Sequence, residues 1–588
     1  MKRPGMQGRA VPAWLVLGIV GAAVVAAHAG LLRLPYYWDE AGYYVPAAWD
    51  FFRSGALIPY STLANAHPPL LSVYLAACWK VLGFAPWVTR TAMCAMAALA
   101  LTAVWRLAVM ATGRRAVAGA TVLLTALYPV WFAQSSLAHA DLPAAAATLW
   151  ALVFFLESRI GWTAVCFSLA VLTKETAVMT PLALIPLVLF EGRGRKQWRP
   201  GHSRWAGVAA LAAPVVPLAA WYGYYWRKTG FLFGNPEYLR YNATATLTPL
   251  RVVLALAHRV MHVTLHMNLF VPVLAALASL LLPPVAESQA SRAGDGKVEG
   301  APDLSQTRAR IPWETQAVFY VVIAANVVFF SILGGALLTR YLLPLYPLVL
   351  LLCVNTFRRR LKEWTGLVGL TVAAFVAGLF INPPYRFAPE DNLEYVTVIR
   401  LQQAAVDELV ARMPGTTVLT AWPATDELTK PELGYVRKPV PVVEIGNFSA
   451  AEIGKAMRLP RDYGAALVFS TKYDPPRLLF SLGRRNEQFD TRYFDFHRDL
   501  PPGLIARVLG GQVIWGEERR GQWAAVIRMT ARRGPQQAYG PQRSAFASRR
   551  ASSSAMPPDS RSVRAFRAGK AMRSSPGWSA VEREWPSR

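Results

Sequence analysis

The chain has 588 residues, of which 54% are hydrophobic and only 16% charged, with a formal net charge of +27. So apolar a composition excludes a soluble globular protein of this length. The positive charge is spread over short loops and a final Arg-rich stretch rather than a groove or stripe, which argues against nucleic-acid binding.

Repeated apolar runs of about 17–25 residues, separated by short charged loops, predict a multi-span α-helical membrane protein with about eleven spans and additional interfacial helices. Span 1 covers about Val11 to Leu32, and Lys2, Arg3 and Arg9 place its start in the cytoplasm. The outer loop that follows, residues 33–87, holds the acid pair Asp39–Glu40 among Tyr36, Tyr37, Trp38, Tyr43, Tyr44 and Trp49, rings that favour the membrane–water interface. It continues through His67-Pro68-Pro69-Leu70 into an interfacial helix, Pro68–Gly83. Later spans are expected at about 88–110, 116–134, 142–156, 161–173, 177–190 and 205–226. Three more follow the linker and its preceding span, at about 316–333, 341–357 and 365–381. The basic loops Glu191–Arg204 and Arg358–Lys362 read as cytoplasmic.

A second interfacial helix is predicted near Val252–His266, with His258, His262 and His266 on one face. A span near 268–282 and a cytoplasmic linker, 283–315, come next. From Pro383 the character changes. A helical pattern, Val396–Arg412, alternates with short β-rich runs at Thr417–Ala421, Ala466–Ser470, Val513–Trp515 and Ala524–Met529. These predict a small extracytoplasmic α/β domain over 383–530, after a catalytic transmembrane domain over 1–382. The basic tail, 531–588, is rich in Arg, Ser, Pro and Ala and is expected to be disordered. All four cysteines, Cys78, Cys94, Cys166 and Cys353, fall in apolar runs with no metal-ligand spacing, so packing is their expected role.

Five landmarks recur in order: the Asp39–Glu40 pair, HPPL at 67–70, HADLP at 139–143, LTKET at 172–176 and RYLLPLYP at 340–347. Over about Val11 to Phe380 the chain thereby resembles the membrane-embedded GT-C glycosyltransferases of family 39, which include protein O-mannosyltransferases and the lipid A aminoarabinose transferase. The resemblance implies transfer of a sugar from a polyprenyl-phosphate carrier to a lipid, glycan or protein acceptor at the outer face of the plasma membrane. It implies no nucleic-acid partner.

An acceptor hydroxyl must lose a proton as it attacks, so the family's first acid, here Asp39, is the expected base. Glu40 would orient it or hold acceptor or metal. Asp141 would stabilise an oxocarbenium-like transition state. His67, Arg340 and Lys174 are the cations expected at the donor phosphate. His67 stands where the aminoarabinose transferase has a lysine, and a neutral ring holds phosphate less well. No cofactor is required by these residues. A divalent metal, if used, would take Asp39, Glu40 and Asp141, with His262 and His266 as the weaker set. A transporter or flippase of lipid-linked sugars, or an inactive scaffold of a glycan-assembly complex, is the alternative reading. The polar residues gather at outer span ends and no internal repeat is evident, which disfavours transport.

Overall fold

The computed structural model describes residues 11–530 apart from 63, 191–202, 235, 287–306, 459, 461, 474, 476–483 and 495. The basic start of span 1, nearly all of the basic loop before Arg204, most of the linker and the tail therefore lie outside the described residues.

The chain is mainly helical. Three helices among the described residues are long and apolar enough to cross a membrane: Pro86–Thr112, Arg204–Thr229 and Trp313–Ile332. Seven more apolar helices of 10–17 residues include Ala13–His28, Asp141–Leu156 and Trp364–Phe380. At 1.5 Å per residue, a helix of that length spans less than about 26 Å, short of the full hydrocarbon core. Helix Pro86–Thr112 shows how its ends are set. Proline occupies its first turn, where no amide donor is needed, and Gly113 ends it with φ +66°.

Two expected spans are broken, each for a local reason. The run 116–134 is divided into Arg115–Leu127 and Pro129–Gln134. Tyr128 between them adopts ψ 124°, because the proline that follows disfavours helical backbone in the residue before it. The run 268–282 holds only a ten-residue helix, Phe270–Ser279, bent by 99° from the helical stretch Pro249–Asn268. Met267 and Asn268 turn the chain there with φ of 47° and 66°.

Beyond the last apolar helix, Glu394–Arg412 forms a helix that packs on a five-stranded mixed sheet. Its strands are β1 (Val418–Ala421), β2 (Val442–Ile445), β3 (Ala465–Phe469), β4 (Gly511–Arg519) and β5 (Gln522–Met529), in the order β2-β1-β3-β5-β4. β1 runs parallel to both neighbours, while β5 is antiparallel to β3 with Leu467 opposite Val526. β3 reads Ala-Ala-Leu-Val-Phe because it is buried along its whole length. β4 and β5 form a hairpin whose turn residues, Arg520 and Gly521, both have positive φ.

This region packs with the helices in one compact unit. Tyr435 donates its hydroxyl to the Tyr36 carbonyl at 2.9 Å, and Trp422 stands edge-on to Trp38 at 5.5 Å. The sheet region therefore grips the loop that carries Asp39.

Candidate active site

Asp39 and Glu40 are adjacent in sequence but join different networks. Trp38 has φ 48°, and a wide turn of helix, Glu40–Tyr44, begins immediately after Asp39. This bend separates the two carboxylates. Glu40 is fully buried against Arg90, with Nη2 to Oε2 at 3.1 Å. The backbone amides of Tyr37 and Ala138 also donate to its carboxylate, at 2.9 and 2.7 Å. Burial raises its pKa, opposed by Arg90 and those two amides.

Asp39 instead meets Arg340, whose Nη2 donates to its Oδ2. The same guanidinium pairs through Nε with Asp141 at 3.2 Å. Its Nη1 donates to both oxygens of Glu390, at 2.5 and 2.6 Å. Lys174 completes the cluster through an ion pair with Asp141, and its Nζ lies 3.9 Å from the centroid of the Tyr341 ring. Three carboxylates thus face two cations, one negative charge in excess when all are ionised. Glu390 registers that imbalance: burial pushes its carboxyl above the ordinary range, Arg340 opposes the rise, and Asp39, Asp391 and Asp141 add to it. Asp39 is the accessible member, 26% exposed against 2% for Asp141 and 5% for Glu390.

His139 lies beside this cluster, fully buried. Gln134 donates to the Glu390 carbonyl at 3.3 Å and accepts from His139 Nδ1 at 2.8 Å, an assignment that leaves Nε2 as a lone pair. Burial lowers the His139 pKa well below its usual value, and Arg340 and Lys174 lower it further, so the ring is neutral.

The structure gathers Asp39, Asp141, Lys174 and Arg340 together and puts the other candidates elsewhere. His67 pairs through Nδ1 with Glu175 at 2.9 Å and stacks on Tyr44. Burial would raise the Glu175 pKa, but His67 and Lys174 outweigh it and hold the carboxyl below its usual range. Glu40 is spent on Arg90, so Asp39, Glu40 and Asp141 do not fit as one metal-ligand set. The weaker set fails also: His266 is occupied by Asp391 at Nε2 (3.0 Å) and by the Tyr385 hydroxyl at Nδ1 (3.1 Å). Among the described residues, no group of three or more His, Cys, Asp or Glu is arranged to hold a metal ion.

Sequence reasoning missed Arg90, Glu390, Asp391 and Arg259. Glu390–Asp391 repeats the signal of an acid pair just beyond an apolar run, and that signal was available. Arg259 is also fully buried. It donates to the carbonyls of Phe330 (3.2 Å) and Leu338 (2.7 Å), while its Nη2 has no hydrogen-bond partner. No acid pairs with it among the described residues, and its guanidinium lies 5.7 Å from the Tyr341 ring centre.

Residues 66–221 match the family model described as dolichyl-phosphate-mannose-protein mannosyltransferase, a segment that includes His67, Asp141 and Lys174. Over that segment the chain is similar to this mannosyltransferase family, in keeping with the resemblance to the GT-C glycosyltransferases of family 39 that the order of its landmarks implies. The crystal structure of ArnT from Cupriavidus metallidurans bound to undecaprenyl phosphate is similar at 16% identity and a TM-score of 0.47, covering 91% of this chain and 100% of that one. The apo state of the same protein gives 15% identity and a TM-score of 0.48, covering 87% and 97%. No curated protein sequence matches the chain.

Proposed function

We propose that the protein is an integral-membrane glycosyltransferase. It moves a sugar from a polyprenyl-phosphate carrier to an acceptor hydroxyl or phosphate at the outer face of the plasma membrane. One observation carries the reading: carboxyl groups from three distant stretches converge on Arg340, and Asp39 is the accessible one among them.

With Arg340 on its Oδ2, Asp39 keeps Oδ1 for an incoming hydroxyl. The acceptor oxygen bonds to the anomeric carbon as its proton passes to Asp39. The bond from that carbon to the phosphate oxygen breaks, and polyprenyl phosphate leaves. A single displacement inverts the configuration at that carbon. Positive charge building on the sugar is met by Asp141.

Arg340 is already held by three carboxyl groups, so it serves the acids rather than the phosphate. Lys174 and Arg259, like Arg340, lie over the Tyr341 ring, and no acid pairs with Arg259 among the described residues. They are the better pair for the leaving phosphate. His67, held by Glu175, lines a neighbouring cavity with Tyr43, Tyr44 and Thr173.

The test is turnover of a labelled undecaprenyl-phosphate sugar by purified protein in detergent. Wild type should cleave or transfer the sugar, and Asp39→Asn should lose roughly 10²–10⁴-fold, the usual worth of a general base. A wild-type protein that leaves the donor intact while moving it between leaflets of vesicles would establish the flippase instead. A loss below about tenfold in Asp39→Asn would move the base to Glu40 or Asp141.

A further inference from the structure

Two successive acids, Glu390 and Asp391, bind two successive residues of the RYLLP step and its lead-in. Glu390 takes Arg340 through Nη1, and Asp391 accepts from the Thr339 hydroxyl. Each rung is backed from behind. Gln134 holds the Glu390 carbonyl, and His266 Nε2 holds the second Asp391 oxygen at 3.0 Å. His266 in turn meets the Tyr385 hydroxyl, at the bend that follows helix Pro249–Thr264. Gln134, Thr339, Arg340, Glu390 and Asp391 are all nearly or wholly buried.

The geometry around Arg340 gives this ladder a consequence for chemistry. A guanidinium is planar and presents its donors as a rigid fork. Fixing Nη1 on Glu390 fixes where Nη2 and Nε point, which is at Asp39 and Asp141. Without Glu390, the fork would be free to rotate toward either aspartate and away from the other. We propose that Glu390 is a positioning residue for the transfer, holding Arg340 so that the base and the second aspartate keep their relative placement. Asp391 and His266 brace the same step from the adjoining residue. This inference rests on the glycosyl-transfer reading. It goes beyond that reading in assigning a role to the C-terminal part of the chain.

Two measurements test it on the full-length protein. The first needs no activity: modification of Arg340 by phenylglyoxal, followed on its peptide by mass spectrometry. Arg340 should be protected in wild type, modified faster in Glu390→Ala, and protected again in Glu390→Gln, which keeps an oxygen for Nη1. The second is steady-state turnover of the undecaprenyl-phosphate sugar. Glu390→Ala should lower kcat by roughly 10²-fold, the loss that a misplacement near 1 Å can bring, with the donor KM little changed and partial recovery in Glu390→Gln. Unchanged Arg340 labelling in Glu390→Ala overturns the proposal whatever the activity. So does a change in KM alone, which would make Glu390 a binding group. If Glu390→Ala does not fold, Glu390→Asp replaces it, since one missing methylene also takes the carboxylate off Nη1. A wild-type protein without turnover refutes the transfer reading and leaves the labelling arm to decide the clamp. An active wild type with protected Arg340 and an unimpaired Glu390→Ala refutes the clamp and leaves the transfer reading standing.

Discussion

Replacing Arg90 by methionine should destabilise the protein more than any single change among its exposed charges. Arg90 and Glu40 have no side-chain exposure at all. Arg90 also donates to the carbonyls of Leu34 (3.2 Å), Pro35 (2.6 Å) and Ser136 (3.1 Å). It therefore ties the end of the first apolar helix region, the Asp39 loop and the turn before Asp141 to one point. Methionine matches the volume of the aliphatic stem but removes every donor. Glu40 would keep its two backbone amides and lose its cation, and three carbonyls would lose a partner.

Breaking a buried ion pair from one side costs about 3–5 kcal/mol. Each unpaired buried carbonyl adds about 1 kcal/mol or more, not additively. Glu40 can limit the loss by taking a proton, so the lower range of about 3–5 kcal/mol is expected. SDS-induced unfolding in mixed micelles, followed by circular dichroism, measures it. The double variant Glu40→Gln/Arg90→Met removes both charges and should recover about 0.5–3 kcal/mol relative to the sum of the singles. An Arg90→Met protein within about 1 kcal/mol of wild type would refute the buried pair. The same double variant decides what Glu40 does: turnover close to wild type makes it structural, whereas an inactive but folded double variant makes it a participant in the chemistry.

Two other outcomes are expected. Cysteines placed at exposed Lys438 and Lys362 report topology: an impermeant maleimide added to intact cells should mark Lys438→Cys and leave Lys362→Cys unmarked. The opposite pattern would turn every proposed catalytic group toward the cytoplasm. Glu390 has a native pKa raised above its ordinary 4.5, so over the pH range above that value the native state binds more protons there than the unfolded state. Its contribution to stability is therefore fully present below 4.5 and declines as pH rises, and the stability difference between wild type and Glu390→Gln should fall between about pH 5 and 8. A difference that grows over that range would mean that Glu390 is an ionised partner of Arg340 with a depressed pKa.

Much of the site was legible because its residue types are costly where they stand. A carboxylate, a lysine or an arginine at the end of an apolar run needs a partner, and Asp39, Asp141, Lys174 and Arg340 found one another. Glu40 was expected beside Asp39, but adjacency in sequence says nothing about direction. The bend at Trp38 turns one carboxylate to Arg340 and its neighbour to Arg90. Arg90 was hidden at the start of an apolar run, where a basic residue is usually a headgroup anchor. The sheet was legible where strands are β-rich, and β2 was not, because Val442–Ile445 offers only four residues among turns. The breaks at Tyr128 and Met267 differ in the same way. Pro129 announces the first, and the second depends on two residues held in left-handed backbone by their surroundings.

The charge arrangement also bears on the phosphate role expected of Arg340. A cation that leaves water must be matched by an anion that stays or by one that arrives. Arg340 has anions that stay, Asp39 and Asp141, with the Glu390 carboxyl beside them, and a phosphate would have to displace one of these groups to reach it. Among the described residues Arg259 meets carbonyl dipoles and the Phe330 and Tyr341 rings, and these solvate a guanidinium without neutralising it. Lys174 shares Asp141 with Arg340, and the Tyr341 ring centre lies 3.9 Å from Lys174, 5.7 Å from Arg259 and 5.9 Å from Arg340. An arriving phosphate therefore gains most at Arg259 and Lys174. Its negative charge there leaves the Asp39 side of the cluster intact, so base and leaving-group sites can be occupied together. Acids gathered on Arg340, and an arginine that no acid pairs with among the described residues, are what the proposed displacement needs: one group to take a proton and another to meet the leaving phosphate.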